Sequence, residues 1–263
     1  MSSLTISLIQ TNLFWENKKA NLEMLQQKIE GIKEKTEIVI IPEMFTTGFS
    51  MKPELFAETM DGETVKWMKK ITAEKKIILT GSVIIEENGK YFNRLVWMLP
   101  NGEYGVYDKR HLFAFANEHS HYSAGNKKLI ASVKGWKINL QICYDLRFPV
   151  WARQDFQSEN KYDLLINVAN WPTKRNIAWQ TLLRARAIEN QCFVAGVNRT
   201  GEDGNKIYYS GDSMIIGPLG ETIYEKNQAE DIYTFTLQKE KITETRNQFP
   251  FWKDADSFIL KDL

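Results

Sequence analysis

Along the first eighty positions, apolar residues switch between unbroken or alternating runs and a spacing near 3.6, which predicts strands alternating with helices. Thr5 to Gln10 reads as a strand, and Asn17 to Lys35 as a helix with Leu22, Leu25, Ile29 and Ile32 on one stripe. Glu37 to Ile41 is again a strand. Its run Ile38-Val39-Ile40-Ile41 is apolar on both faces, as a central strand covered on both sides requires, and Pro42 stops it. Glu43 therefore stands just past the end of a buried strand. A helix over Asp61 to Lys75, carrying Val65, Met68 and Ile71, leads into a strand at Ile77 to Thr80. Extended runs follow, punctuated by the hairpin signals Asn88-Gly89 and Pro100-Asn101-Gly102. The last of them, Tyr104 to Asp108, leaves Lys109 at a strand terminus.

The second half repeats the alternation: strand Lys137 to Ile142, a short helix near Pro149 to Gln157, strand Leu164 to Val168, helix Ile177 to Asn190 and strand Phe193 to Val197. Cys143 again follows a buried strand. Strands at Ser213 to Ile216, Thr222 to Tyr224 and Ile232 to Leu237 are separated by Gly217-Pro218-Leu219-Gly220, and a tail from Lys239 to Leu263 closes the chain. Helices alternating with strands, together with antiparallel hairpins, predict a mixed-sheet layered α/β fold, in which residues beyond the strand ends build the site. No stretch has the composition of an interdomain linker. With 263 residues, 43% of them apolar, the chain is expected to form a single domain over residues 1–263 around one large core.

Charge narrows the function classes. Lys+Arg 34 against Asp+Glu 33 leaves no field for a nucleic-acid surface or a membrane-adsorbing stripe, so the expected partner is a small molecule. No apolar run is long enough to span a bilayer and the first residues lack a secretory signal, so a cytoplasmic location is expected. There, Cys143 and Cys192 should both be free thiols.

Three segments place a reactive side chain just past a strand: Ile41-Pro42-Glu43, Tyr107-Asp108-Lys109-Arg110-His111, and Ile142-Cys143-Tyr144-Asp145-Leu146-Arg147-Phe148-Pro149. A thiol of pKa about 8.5 is mostly protonated at neutral pH, so a cysteine that attacks amides needs a base, or a cation favouring thiolate. Glu43 and Lys109 are placed to supply these. A carboxylate lies roughly four pKa units below the thiol, a deficit of about 5–6 kcal/mol, so Glu43 must be desolvated to serve as base. Cys192 opens a strand after a helix, where a cysteine acts as a small apolar group. His111, His119 and His121 invite a metal-site or Cys-His reading, but a lone His-x-His in a loop has no ligand spacing to support a metal. His111 is expected to anchor the loop after Lys109.

Together the three segments resemble the Glu-Lys-Cys triad of the nitrilase superfamily, with matching order along nearly the whole chain. The resemblance implies a four-layer α-β-β-α sandwich of two mixed sheets and a cysteine amidohydrolase needing no cofactor or metal. It also implies a second glutamate after the lysine motif, for which Glu118 is the matching position, expected at the rim of the pocket. Relatives usually form dimers through helix packing, so a homodimer is expected. The runs Asn167-Val168-Ala169-Asn170-Trp171-Pro172, Asn198-Arg199-Thr200-Gly201, Tyr209-Ser210-Gly211-Asp212-Ser213 and Phe249-Pro250-Phe251-Trp252 resemble the omega-amidase branch, which cleaves the terminal amide of 2-oxoglutaramate and 2-oxosuccinamate. Val150 stands where many amidase relatives carry Glu. A substrate with a distal carboxylate needs a cation at the far end of its pocket. Arg147, Lys174 and Arg175 are the candidates, with Trp171 as a possible wall; Arg147 could instead brace the loop through Asp145. Arg184 and Arg186 are expected to be structural or interfacial. The alternatives are another hydrolase of the superfamily, acting on carbamoyl amines or general aliphatic amides, and an inactive scaffold, against which the intact triad argues.

Overall fold

The computed structural model describes residues 2–155 and 161–260. In chain order the first half forms β1 (Ser3–Gln10), α1 (Lys18–Glu30), β2 (Ile38–Ile40), α2 (Pro53–Phe56), α3 (Glu63–Lys75), β3 (Ile78–Glu87), β4 (Lys90–Met98) and β5 (Tyr104–Asp108). The second half forms β6 (Ile130–Val133), β7 (Trp136–Ile142), α4 (Pro149–Ala152), β8 (Leu164–Ala169), α5 (Asn176–Asn190), β9 (Phe193–Asn198), β10 (Thr200–Glu202), β11 (Tyr208–Ile216), β12 (Thr222–Asn227), β13 (Asp231–Gln238) and α6 (Lys239–Gln248). One sheet has the order β13-β1-β2-β3-β4-β5, the other β10-β11-β9-β8-β7-β6 with β12 also paired to β11. Each is built around three parallel strands, β1-β2-β3 and β7-β8-β9, flanked by antiparallel ones.

Alternation along the strands creates the layers. Ile6, Ile38 and Ile40 of the first sheet meet Ile138, Leu140, Ile166 and Val168 of the second in a shared core. On the opposite face of the first sheet, Val39, Ile41 and Leu79 pack under Leu22, Leu25 and Ile29 of α1 and Val65, Met68 and Ile71 of α3. Leu165 and Val194 pack under Trp179, Leu183 and Ala187 of α5 on the far side of the second. The result is the expected four-layer α-β-β-α sandwich.

Some boundaries differ from expectation, each for a physical reason. Asn17 caps α1 by accepting from the Ala20 N–H at 3.1 Å, and Gly31 ends the helix by donating to Gln27, so it stops five residues before Lys35. The hairpin at Asn88 and Gly89 uses left-handed φ values of 54° and 73°, the turn that Asn-Gly favours. The helix expected over Pro149 to Gln157 is the single turn α4; Gln157 lies outside the described residues. The tail carries α6.

The largest difference shapes the site. β3 runs to Glu87 rather than ending at Thr80, because Gly81 and Ser82 interrupt the apolar pattern without interrupting the strand. A side chain at Gly81 would come within 2.4 Å of Ile41, so only glycine lets the Ile41–Phe45 segment lie against β3. Ser82 then accepts from the Met44 N–H at 2.8 Å through its hydroxyl and from the Phe45 N–H at 3.1 Å through its carbonyl. These contacts fix the turn that carries Glu43.

Candidate active site

The reactive positions sit at the C-terminal ends of strands from both sheets. Cys143 directly follows β7 and begins a 3-10 turn, Cys143–Arg147. Its φ of 43° is left-handed. For a residue with a Cβ this conformation costs on the order of 1–2 kcal/mol, and it turns the side chain off the strand's line into open space. Glu43 follows β2, Lys109 follows β5, and Asn170 follows β8.

Glu43, Lys109 and Glu118 are all fully buried. The Lys109 ammonium donates to Glu43 Oε1 at 2.9 Å and to the two oxygens of Glu118 at 3.1 and 2.9 Å. Phe113 N–H donates to Glu118 Oε2 at 2.5 Å. Asn93 sends its amide to Glu43 Oε1 at 2.8 Å and to Glu118 Oε1 at 3.4 Å, bridging the two carboxylates from the middle of β4. Asn170 closes the other side. Its N–H donates to Glu43 Oε2 at 2.8 Å, its side-chain amide reaches the Glu43 carbonyl at 2.6 Å, and its own carbonyl lies 3.9 Å from the Cys143 sulfur. Thiol and carboxylate are thus registered against one residue.

Two carboxylates and one ammonium out of water form a strongly coupled set. Burial alone would lower the Lys109 ammonium, but Glu118 and Glu43 outweigh it and hold the lysine above its ordinary range, firmly protonated. Burial raises the Glu118 carboxyl; Lys109 pulls the other way and Glu43 adds to the rise. The Cys143 thiol is pushed well above its usual value, first by burial and then by the Glu43 carboxylate, against the pull of Lys109. The resting sulfur is therefore a protonated thiol.

Cys143 opens into a cavity lined by Phe49, Lys109, Phe113, Tyr144, Arg147, Asn170, Trp171, Arg175, Tyr209 and a few neighbours. Arg147 stacks its guanidinium 4.9 Å from the Trp171 ring centre, and Arg175 lies 5.1 Å from that of Phe113. Asp145 does not brace Arg147, because its oxygens are taken by Ile142, Tyr107 and His111. Trp171 lines the cavity and packs against Trp179.

Two expectations are corrected. Lys174 is exposed and does not line the cavity, since the 3-10 turn Thr173–Arg175 aims only Arg175 inward. Glu118 is not at the rim: it lies behind Lys109, drawn in by the ammonium and the Phe113 N–H. Val150 sits half-exposed on α4, away from the cavity lining. His111 does anchor its loop, through Asp145, and none of the three histidines lines the cavity. Arg184 bonds the Gly220 carbonyl, and Arg186 bonds that of Leu146 in the Cys143–Arg147 turn. Asn93 was given no role from sequence. The available signal is an amide two residues before the apolar run Leu95-Val96-Trp97 in a strand that is otherwise buried from that point on.

A cysteine thiol, a buried carboxylate and a protonated lysine gathered at the strand ends of a two-sheet sandwich are the groups a thiol hydrolase requires. Residues 5–247 match the carbon–nitrogen hydrolase family model, and the chain belongs to that family. It is 44% identical to omega-amidase YafV of Escherichia coli K12 over 99% of this chain and 100% of that one. It is 33% identical to 2-oxoglutaramate amidase of Bacillus subtilis over 98% of each chain. Among solved structures, XC1258 of Xanthomonas campestris, a CN-hydrolase superfamily protein with an arsenic adduct in its active site, superposes with a TM-score of 0.97 at 45% identity, covering 99% of this chain and 100% of that one. Among the described residues, no helix is long and apolar enough to cross a membrane.

Proposed function

We propose that this enzyme hydrolyses the terminal amide of 2-oxo dicarboxylic acid monoamides such as 2-oxoglutaramate and 2-oxosuccinamate, releasing ammonia and the 2-oxo acid. The observation that carries the reading is the pair Arg147 and Arg175. Both guanidiniums line the same cavity as Cys143 and, among the described residues, neither has a carboxylate partner. A planar two-donor cation beside an aromatic wall suits a substrate carboxylate at the end remote from the amide. The similarity to the omega-amidase and 2-oxoglutaramate amidase supports the same substrate class.

In the cycle, Cys143 Sγ attacks the amide carbon while its proton passes to Glu43. Lys109, 2.9 Å from Glu43 Oε1, offsets the negative charge that develops on the carbonyl oxygen. Glu43 gives the proton to the departing nitrogen, the C–N bond breaks, and ammonia leaves a thioester on Cys143. Water then attacks the thioester carbon as Glu43 takes a water proton. The C–S bond breaks, the acid departs, and the proton returns to sulfur. Glu118 keeps Lys109 aimed.

The test is ammonia release from 2-oxoglutaramate beside a panel of nitriles, carbamoyl amines and monoamides lacking the carboxylate. The reading expects the oxo-acid amide to exceed every other member in kcat/KM. Preference for an uncharged aliphatic amide or a carbamoyl amine would replace it with another hydrolase activity, and no turnover at all would leave a scaffold.

A further inference from the structure

The nucleophile turn and the lysine segment belong to different sheets, yet one buried carboxylate ties them together. Asp145 lies two residues after Cys143 and is fully buried. Its Oδ2 accepts from the Ile142 N–H at 3.0 Å and from the Tyr107 hydroxyl at 2.7 Å. Its Oδ1 accepts from the His111 N–H at 2.9 Å and pairs with His111 Nδ1 at 2.8 Å. Ile142 immediately precedes the nucleophile, whereas Tyr107 and His111 stand two residues on either side of Lys109.

The donors are themselves fixed. The Tyr107 hydroxyl accepts from Trp151 Nε1 at 3.0 Å and from the Arg110 N–H at 3.3 Å, so its single proton is directed to Asp145. The His111 ring is stacked on Phe148 at 3.8 Å with an interplanar angle of 7°. Four donors to one carboxylate is a strong, desolvated arrangement that no neutral side chain of the same shape reproduces: an asparagine has one acceptor oxygen and would turn its own NH2 toward two of those donors.

We infer that Asp145 is a positioning residue that fixes Cys143, in its left-handed conformation, relative to Lys109 across the two sheets. It touches neither substrate nor the reacting atoms. It acts by holding the Ile142 peptide, which sets the direction of the Cys143 side chain, in register with the strand end that carries the cation. The inference rests on the reading of Cys143 as nucleophile.

The experiment compares Asp145→Asn, Tyr107→Phe, His111→Ala and His111→Asn with the parent enzyme in three measurements. These are kcat and KM for ammonia release, the rate of Cys143 alkylation by iodoacetamide in the folded protein, and Tm. A misplaced nucleophile lowers kcat far more than it alters binding. Asp145→Asn should therefore lose kcat by about 30- to 100-fold with KM within about threefold, and its alkylation rate should change by about tenfold. His111→Asn, which keeps a side-chain donor, should recover activity relative to His111→Ala, and Tyr107→Phe added to Asp145→Asn should cost little more. A lowered Tm with kcat and alkylation both at parent levels would reduce Asp145 to a structural role. Should Asp145→Asn not fold, parent-like kcat in both Tyr107→Phe and His111→Ala overturns the inference. Cys143→Ala is run alongside: turnover there removes the nucleophile itself, whereas an inert Cys143→Ala beside a parent-like Asp145→Asn removes only the positioning role.

Discussion

The chain carries two free cysteines, Cys143 and Cys192, each beside a strand end of the second sheet and each with its thiol pushed up chiefly by burial. Their surroundings differ. Cys192 is fully buried with Leu165, Trp179, Leu183 and Val194, and its sulfur lies 3.9 Å from the Arg186 carbonyl. Cys143 has a left-handed backbone, a buried carboxylate and ammonium within electrostatic reach, and an open cavity in front of it. Burial alone makes an inert thiol. What makes a nucleophile is burial combined with a proton acceptor, a countercharge and access.

The sharpest way to break that contrast is to delete each sulfur. Cys143→Ala should fold and release no ammonia above background, and iodoacetamide should label Cys143 first in the parent, with loss of activity in step. Preferential labelling of Cys192 would reverse the assignment. Next come the charges. Glu43→Gln cannot accept a proton, and Lys109→Met removes the charge that the proposed cycle sets against the oxyanion, worth roughly 3–4 kcal/mol where comparable donors are deleted. Each should turn over at least about a hundredfold more slowly with circular dichroism unchanged. The double variant should be little worse than the poorer single one, since the groups act as a unit. Near-parent kcat in folded Glu43→Gln would place the base elsewhere.

A smaller effect separates Glu118 from Glu43. Because the folded enzyme raises the Glu118 carboxyl, this group takes up its proton at a pH above the ordinary carboxylate value of about 4.3. Activity that needs the anion is present above the folded pKa and lost as pH falls through it. Stability has the opposite sign: a raised carboxyl contributes stability below its unfolded pKa that is lost as pH rises through the folded one. The acid limb of kcat should therefore lie above the usual carboxylate range and shift in Glu118→Gln; an unmoved limb would assign it to another group.

Substrate recognition is expected to be weaker still in kcat. Arg147→Met should raise KM for 2-oxoglutaramate by about 10- to 100-fold, the value of about one charged hydrogen bond, while kcat stays within a few fold. A pure kcat defect would place Arg147 in the chemistry instead. Smallest of all, Cys192→Ala should leave kcat unchanged and cost about 1 kcal/mol, or roughly 2–4 °C in Tm, through the small void it leaves. Lost turnover in a well-folded Cys192→Ala would dissolve the contrast between the two thiols.

Much of this was legible in the linear chain. The run Ile38 to Ile41, apolar on both faces and stopped by Pro42, required a covered central strand and put Glu43 at its end, because side-chain alternation and proline's missing N–H act locally. The same local rules placed Lys109 and Cys143. Tertiary structure decided the rest. That β3 continues through Gly81 and Ser82 follows from the Ile41–Phe45 segment lying against it, which no local pattern encodes. Glu118 moved from an expected rim to full burial because a lysine nine residues earlier drew it inward, and Asn93 and Asn170 became clamps only when two sheets brought them to the same carboxylate. Arg175 rather than Lys174 faces the cavity because neighbouring residues of a 3-10 helix point about 120° apart. Periodicity fixes which side of its own element a residue occupies; which charges meet in a dry interior depends on the packing of elements distant in sequence.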